Sequence, residues 1–170
     1  MAEIIYDGTV AFCKRAFPAK SRTAEQMVHA ARSGKQNIAE GSADSATSKK
    51  LELKLTGVAR ASLVELLLDY QDYLRQSGLR QWSKDEERAV FIRKLSYRPH
   101  RCYLTYKPYI EDKSLETSAN VLICVLNQST YLLNRLLRRL EVDFLNEGGF
   151  TERLYRERSK RRKEAEAEDS

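Results

Sequence analysis

Residues 114–144, SLETSANVLICVLNQSTYLLNRLLRRLEVDF, carry the longest helical pattern in the chain. Apolar residues recur there at steps of three and four, which is the spacing of one helix face. That face consists of Ala119, Leu122, Leu126, Thr130, Leu133, Leu137, Leu140 and Phe144. A second row widens the apolar sector beyond what contact with one helix requires, and it consists of Val121, Val125, Leu132 and Leu136. The pattern predicts a helix that is central in the fold or faces another subunit.

Two helices are predicted at the start of the chain. The first covers residues 3–16 and stops before Pro18, because the residue preceding a proline avoids helical backbone angles. The second runs from a capping box at Thr23 and Gln26 to Gly41. One of its faces is a stripe of mostly small residues, which predicts unusually close packing on a neighbour. The stripe consists of Met27, Ala30, Ala31, Gly34 and Ile38.

A third helix is predicted from its cap at Ser48 to about Gln76. Its apolar positions alternate at close to the 3.5-residue period of bundle seams. They are Leu51, Leu55, Val58, Ser62, Leu66, Tyr70 and Tyr73. With the first two helices and the helix after Ser114, it predicts an all-α fold, an antiparallel up-down four-helix bundle.

Two segments lie outside these four helices. Residues 77–113 are predicted as an insertion within the bundle domain of residues 1–148, with a short helix after a capping box at Ser83 and Glu86, followed by a proline-interrupted loop. Residues 149–170 mix basic and acidic residues with few apolar ones, which predicts a charged, helical C-terminal tail.

Composition narrows the function classes. The formal net charge is +6 and the isoelectric point is near 9.2, a balance that favours polyanionic partners. The three cysteines have no CxxC spacing, so we expect no disulfide framework and no metal site. Because the chain lacks a long uncharged apolar run, we expect no membrane association and a cytoplasmic location.

Residues 31–41, ARSGKQNIAEG, together with residues 59–65, ARASLVE, resemble a particular bacterial family. The chain is similar there to the four-helix-bundle proteins encoded within intervening sequences of large-subunit ribosomal RNA, which are related to the accessory variability proteins of diversity-generating retroelements. The resemblance covers about residues 4–76, and the segment from residue 80 to 113 is longer than the usual connection. It implies a homo-oligomer, in characterised relatives a ring of five. It also implies a basic surface for RNA, DNA or a reverse transcriptase, and no catalytic residues.

The motif residues that carry this resemblance lie on the second and third helices. They are Asn37, Ile38, Ala39, Glu40, Gly41, Arg60 and Glu65. Helical spacing makes a polar contact between the two helices easy, so the group is either a ligand site or a polar cluster that fixes helix register and the turn at Gly41. We expect the structural role.

Basic side chains supply the candidate nucleic-acid contacts. They are Arg98, Arg101, Lys107, Arg135, Arg138, Arg139, Arg153 and Arg156. In the segment around Arg98 these groups alternate with tyrosines, a combination that lets bases stack while phosphates are neutralised. The competing interpretations are a solvated charged face in the tail and tyrosines whose rings pack on the helices.

No pattern of catalytic residues occurs. The chain has only two histidines and lacks HExxH, P-loop and GxSxG spacings, so we expect no enzyme, no cofactor, no metal and no small-molecule substrate. Two functions remain open. One is a self-associating protein that binds nucleic acid or a ribonucleoprotein partner through basic surfaces, and the alternative is a structural protein-protein interaction module with no nucleic-acid role.

Overall fold

The computed structural model describes residues 1–43, 48–148 and 150–168. Over these residues the chain forms seven helices and no strand, which confirms the all-α prediction. The helices are α1 (Ala2–Ala16), α2 (Arg22–Ala43), α3 (Lys49–Gln76), α4 (Glu87–Leu95), α5 (Tyr103–Ile110), α6 (Leu115–Glu147) and α7 (Phe150–Glu168). Within this described part, no helix combines the length and the apolar character needed to cross a membrane.

The four helices α1, α2, α3 and α6 pack in a cycle, each against two of the others. The short helices α4 and α5 both pack on α6, and α5 also contacts α1. As a result, residues 118–126 of α6 are all buried, nine in succession. The predicted central helix is therefore enclosed on every side over its first third, while many side chains after Thr130 are exposed.

Glycines allow two of these helix pairs to approach closely. A Cβ atom on Gly34 of α2 would lie 2.5 Å from Leu63 Cδ2 of α3, and one on Gly8 of α1 would lie 2.7 Å from Leu122 Cδ2 of α6. The predicted close packing of the second helix is confirmed. Gly41 does not end that helix as predicted, because α2 continues to Ala43 and Gly41 packs inside it against Leu55.

The predicted caps are right at two helices and wrong at two. Ser48 and Ser114 each accept a hydrogen bond from a backbone N–H in the first turn of α3 and α6. At α2 the capping oxygen belongs to Ser21 instead of Thr23. At α4 the capping residue is Glu86, and its carboxylate pairs with the Arg80 guanidinium at 2.7 Å instead of capping a helix at Ser83.

The loop predicted after α4 contains a further helix. α5 forms despite Pro108, which removes one helical hydrogen bond and would ordinarily stop so short an element. Tyr106 and Ile110 lie one turn apart on the same face and are both fully buried. Tertiary burial therefore outweighs the local preference of the proline, and local patterns cannot reveal it.

The apolar seam predicted for the third helix is shifted in its first half. Leu51 and Val58 are exposed, whereas Glu52 and Thr56 are buried. α3 packs on both α2 and α6, so it buries the side that lies between them rather than one stripe facing a single partner. Glu52 tolerates this position because Lys49 pairs with its carboxylate at 3.2 Å.

Candidate nucleic-acid interface

α4, α5 and the loop between them carry a run of basic residues. From Arg88 to Lys107 the sequence contains six basic residues and no acidic residue. The six are Arg88, Arg93, Lys94, Arg98, Arg101 and Lys107. By contrast, residues 131–147 of α6 contain three arginines and three acidic residues, so their charges cancel. The segment from Arg88 to Lys107 therefore carries a local excess of positive charge, as do residues 153–163 of α7, which hold seven basic residues and one acidic residue.

The loop of residues 96–102 is fixed to α6 at its start. Gln128 Nε2 donates hydrogen bonds to Arg93 O at 3.1 Å and to Ser96 Oγ at 3.0 Å. Beyond this anchor Arg98 and Arg101 are exposed, and Tyr97 is 83% exposed. The loop therefore presents two guanidinium groups and one aromatic ring to solvent from a fixed base.

The same face of α6 continues past this anchor. Arg135 follows Gln128 by seven residues, which is two helical turns, and Arg138 and Arg139 lie in the next turn. All three are exposed. Arg139 has a loose ion pair with Asp143 at 3.7 Å, and exposed pairs of this kind contribute little. Among the described residues no carboxylate lies within 4.0 Å of Arg135 or Arg138.

The charge of Arg101 also acts on the N-terminus of the chain. Burial and then the charge of Arg101 lower the pKa of the Met1 amine below its ordinary value, so Arg101 lies near Met1. Met1 in turn lines a cavity of about 210 Å³ with Leu132 and Leu136 of α6. Arg101 and the exposed half of α6 are thus both linked to the N-terminus of the chain. We refer to Arg98, Arg101, Arg135 and Arg138 as the basic face.

Lys107 is left out of the basic face because an acidic side chain lies beside it. Its amine lies 3.9 Å from Glu111 Oε2, and Tyr103 donates a hydrogen bond to Glu111 Oε1 at 2.7 Å. Burial and that hydrogen bond to a carboxylate raise the pKa of Tyr103, so the phenol stays protonated. Glu111 therefore offsets the charge of Lys107 at this end of α5.

The tyrosines of this segment mostly pack. Tyr106 is fully buried, and Tyr103 and Tyr109 are half-buried against the core. The predicted alternative, in which the rings cover the helices, holds for these three. Of the tyrosines at positions 97, 103, 106 and 109, only Tyr97 is exposed.

The tail residues lie in α7. Arg156 is exposed, and its guanidinium lies near Gly148, where a Cβ atom would be 3.4 Å from Nη2. The side chain of Arg153 lies outside the described residues, as do residues 149, 169 and 170 in full. α7 extends from Phe150 to Glu168, which confirms the predicted helical character of the tail.

The motif residues of the resemblance do not form one site. Asn37 donates to Ser33 O within α2, and Ser33 Oγ lies 3.0 Å from Ser62 Oγ of α3, so serines make the link between the helices. Arg60 donates instead to Asn134 Oδ1 of α6 at 3.3 Å.

The remaining motif residues lie apart from that link. Ala39 and Glu40 are exposed, Ile38 is half-buried against the core, and Glu65 lines an open groove beside Arg22 and His29.

Burial raises the pKa of two of the three cysteine thiols. Burial first, and then the charge of Asp69, raises the pKa of the Cys13 thiol to about 12, and burial raises the pKa of Cys124 to about 11. Cys102 is exposed. Over the described residues no three side chains of His, Cys, Asp or Glu are grouped to hold a metal ion.

A cavity of about 370 Å³ lies between α4, α5 and α6, and it was not expected from the sequence. We call it the aromatic cavity. Phe91 and Tyr109 meet edge to face at 5.4 Å, and the Arg88 guanidinium lies 5.7 Å from the centre of the Trp82 ring. The one signal in the sequence is the sole tryptophan of the chain, six residues before Arg88.

The pattern of exposed guanidinium groups and aromatic rings suits contact with a phosphate backbone and with bases, and its described residues offer no convergent acid, base or nucleophile. Comparison of the chain with protein-family models, with curated proteins and with solved structures finds no match.

Proposed function

We propose that this protein is a non-enzymatic, self-associating four-helix-bundle protein that binds nucleic acid, alone or in a ribonucleoprotein, through the basic face. The observation that carries the proposal is the run from Arg88 to Lys107, with six basic and no acidic residues, whose exposed loop is anchored to α6 by Gln128, two helical turns before Arg135. Each phosphate that a guanidinium neutralises releases condensed counterions, which drives binding at low salt.

The proposed contacts are to the backbone of the nucleic acid. Guanidinium groups on a loop and on one helix track phosphates without reading base edges, so we expect little sequence preference. For single strands, log K falls with log salt by about 0.7 for each phosphate contact. Four arginines in contact therefore imply a slope of about −3.

The cycle of packed helices supports the bundle within this proposal. α1 is joined to α2 by residues 17–21, and a connection this short favours antiparallel neighbours. The likeness of residues 31–41 and 59–65 to ribosomal RNA intervening-sequence proteins supports a cytoplasmic role beside RNA or a reverse transcriptase. Exposed apolar residues of α6, among them Tyr131, Leu132 and Val142, support self-association, with a ring of five as the expected form.

The test is fluorescence anisotropy with labelled single-stranded and double-stranded oligonucleotides of unrelated sequences, measured across about 50 to 200 mM salt. We expect binding of all sequences at low salt and a steep loss as salt rises. A protein that leaves the anisotropy unchanged at the lowest salt would contradict the proposal.

A structural protein-protein interaction module is the second candidate. The observation that favours it is the exposed apolar row on α6, where Leu132 and Leu136 border the cavity of about 210 Å³ beside Met1 and Ile38. Such a surface binds a partner through apolar burial, so its complexes would persist at high salt. The two candidates therefore differ in how binding responds to salt.

A further inference from the structure

We propose that the aromatic cavity receives a single unpaired base from a nucleic-acid strand held on the neighbouring basic residues. This inference rests on the proposed function and deepens it, since it names a ligand for a cavity whose sides belong to α4, α5 and α6. The ligand class is a nucleobase in a single strand, loop or frayed end. A duplex would have to expel the base first.

Three aromatic rings make the walls of the aromatic cavity. Trp82 is only 8% exposed, while Phe91 is 43% exposed and so leaves one ring accessible from solvent. Tyr109 of α5 lines the cavity beside Phe91, which its ring meets edge to face at 5.4 Å. Its volume of about 370 Å³ falls in the range of about 300–1,000 Å³ that ligand pockets occupy. Flat aromatic walls favour a flat aromatic ligand.

The walls are held in place before any ligand arrives. The Trp82 backbone N–H donates to Asn120 Oδ1 at 2.7 Å, and Asn120 Nδ2 donates to Arg80 O at 2.8 Å. Asn120 is itself buried in the enclosed part of α6. The stretch of chain that carries Trp82 is therefore bound to the most enclosed part of the fold, which lowers the entropic cost of binding.

One polar group of these walls lacks a partner. The indole N–H of Trp82 is buried, and no hydrogen-bond acceptor meets it among the described residues. A buried donor left unpaired is costly, so proteins rarely retain one without a use. Nucleobases carry carbonyl and ring-nitrogen acceptors at their edges, and such an acceptor beside the ring would satisfy the indole.

The unpaired indole donor selects among ligands of the aromatic cavity. Three aromatic rings also suit a quaternary ammonium ion, but such an ion has no acceptor for the Trp82 N–H. The cavity is lined by one basic and one acidic side chain, Arg88 and Glu87, so the charges of its own lining offset each other. The basic residues from Arg88 to Lys107 attract the phosphates of the strand, and the indole N–H favours the base.

The sole tryptophan makes the test direct, since all tryptophan emission comes from Trp82. The full chain is titrated with three probes: a short oligothymidylate, an abasic oligomer of the same length, and free thymidine. We expect oligothymidylate and, at higher concentration, thymidine to change the Trp82 emission. The abasic oligomer should bind by anisotropy and leave that emission unchanged.

Phe91→Leu removes the accessible ring while keeping an apolar side chain of similar size. We expect it to weaken oligothymidylate binding by about 5- to 150-fold, the range that corresponds to the loss of one base stack, and to leave abasic binding unchanged. Leu68→Ala, at an exposed apolar position of α3, is the matched control and should change neither. Circular dichroism of each variant confirms that the fold is retained.

The outcomes separate the two proposals. Equal binding of both oligomers with no change in Trp82 emission overturns the base site and leaves nucleic-acid binding in place. Saturable thymidine binding that Phe91→Leu abolishes, without binding of either oligomer, supports the base site and overturns the proposed function. Failure of all three probes overturns both.

Discussion

Gln128 in the middle of α6 donates a hydrogen bond to Ser96 Oγ at 3.0 Å, across 32 residues of sequence. The same amide donates to Arg93 O, so the last turn of α4 and the start of the exposed loop are joined to the central helix by one side chain. The positions of Arg98 and Arg101 relative to Arg135 depend on this link.

Replacing Gln128 tests the link. Gln128→Ala removes two hydrogen bonds between elements and also removes the unpaired Oε1, so we expect a loss of about 1 kcal/mol in the free energy of unfolding, measured by urea denaturation. Asn127→Ala is the control, because Asn127 is exposed and bonds only within α6. Equal losses in both variants would show that the link does not hold the loop.

The close approach of α2 to α3 predicts opposite signs for two glycine substitutions. Gly34→Ala places a methyl group 2.5 Å from a fully buried Leu63 side chain, and we expect it to destabilise the protein by about 1–3 kcal/mol. Gly57→Ala meets nothing within 4 Å and should stabilise by about 0.5–1 kcal/mol. Thermal unfolding of both variants checks the contrast, which would fail if Gly34→Ala were neutral.

Substitution of the loop arginines tests the basic face. For Arg98→Ala with Arg101→Ala we expect weaker binding of single strands and a salt slope reduced by about 0.7 for each phosphate that is no longer neutralised. Arg75→Ala with Lys54→Ala removes the same charge from α3, where Arg75 already pairs with Asp72 at 2.8 Å. If the two double variants bind equally at every salt concentration, the net charge alone matters and the position of the loop does not.

Alkaline pH should destabilise the protein through buried acids. Burial raises the pKa of Cys13 to about 12 and the pKa of Cys124 to about 11, and it raises that of Tyr70, so these groups keep their protons when folded. The unfolded chain releases them, which means that their stabilising effect is complete below about pH 9 and falls as the pH rises above it.

We therefore expect a melting temperature that is insensitive to these groups up to about pH 9 and declines beyond it. Cys13→Ala with Cys124→Ala should make that decline shallower, although the double variant starts from a lower stability. A decline of unchanged steepness would mean that neither thiol contributes to it.

Self-association is expected to use the exposed half of α6. Light scattering after size exclusion should find a multimer, and Leu132→Asp should shift it toward the monomer by placing a charge in the apolar contact. Leu104→Asp changes an exposed leucine on α5 and serves as control. A monomeric wild-type protein at all concentrations would remove this part of the proposal.

The long helices could be predicted because each carries its own apolar period and stops. α5 could not, because Pro108 argues against a helix locally and the burial of Tyr106 and Ile110 becomes visible only in three dimensions. The predicted seam of α3 differs from the buried one for a related reason, since a single stripe describes contact with one neighbour and α3 has two.

For the candidate site, too, the sequence predicts the residues and not how they are brought together. Basic residues can be found in any sequence, but Arg98 and Arg135 are 37 positions apart, and the anchor that brings their elements together is the amide of Gln128. The aromatic cavity is lined by residues of α4, α5 and α6 and by Trp82, which precedes α4. No local spacing in the sequence can therefore predict it.

α6 contains neither glycine nor proline from Leu115 to Glu147, and its N-terminal third is enclosed while its second half is open. The 21 residues after Leu126 extend about 32 Å as a continuous helix. A force applied to the exposed side of that half would be transmitted along one continuous helix toward Asn120 and the wall of the aromatic cavity, because no loop interrupts the backbone between them.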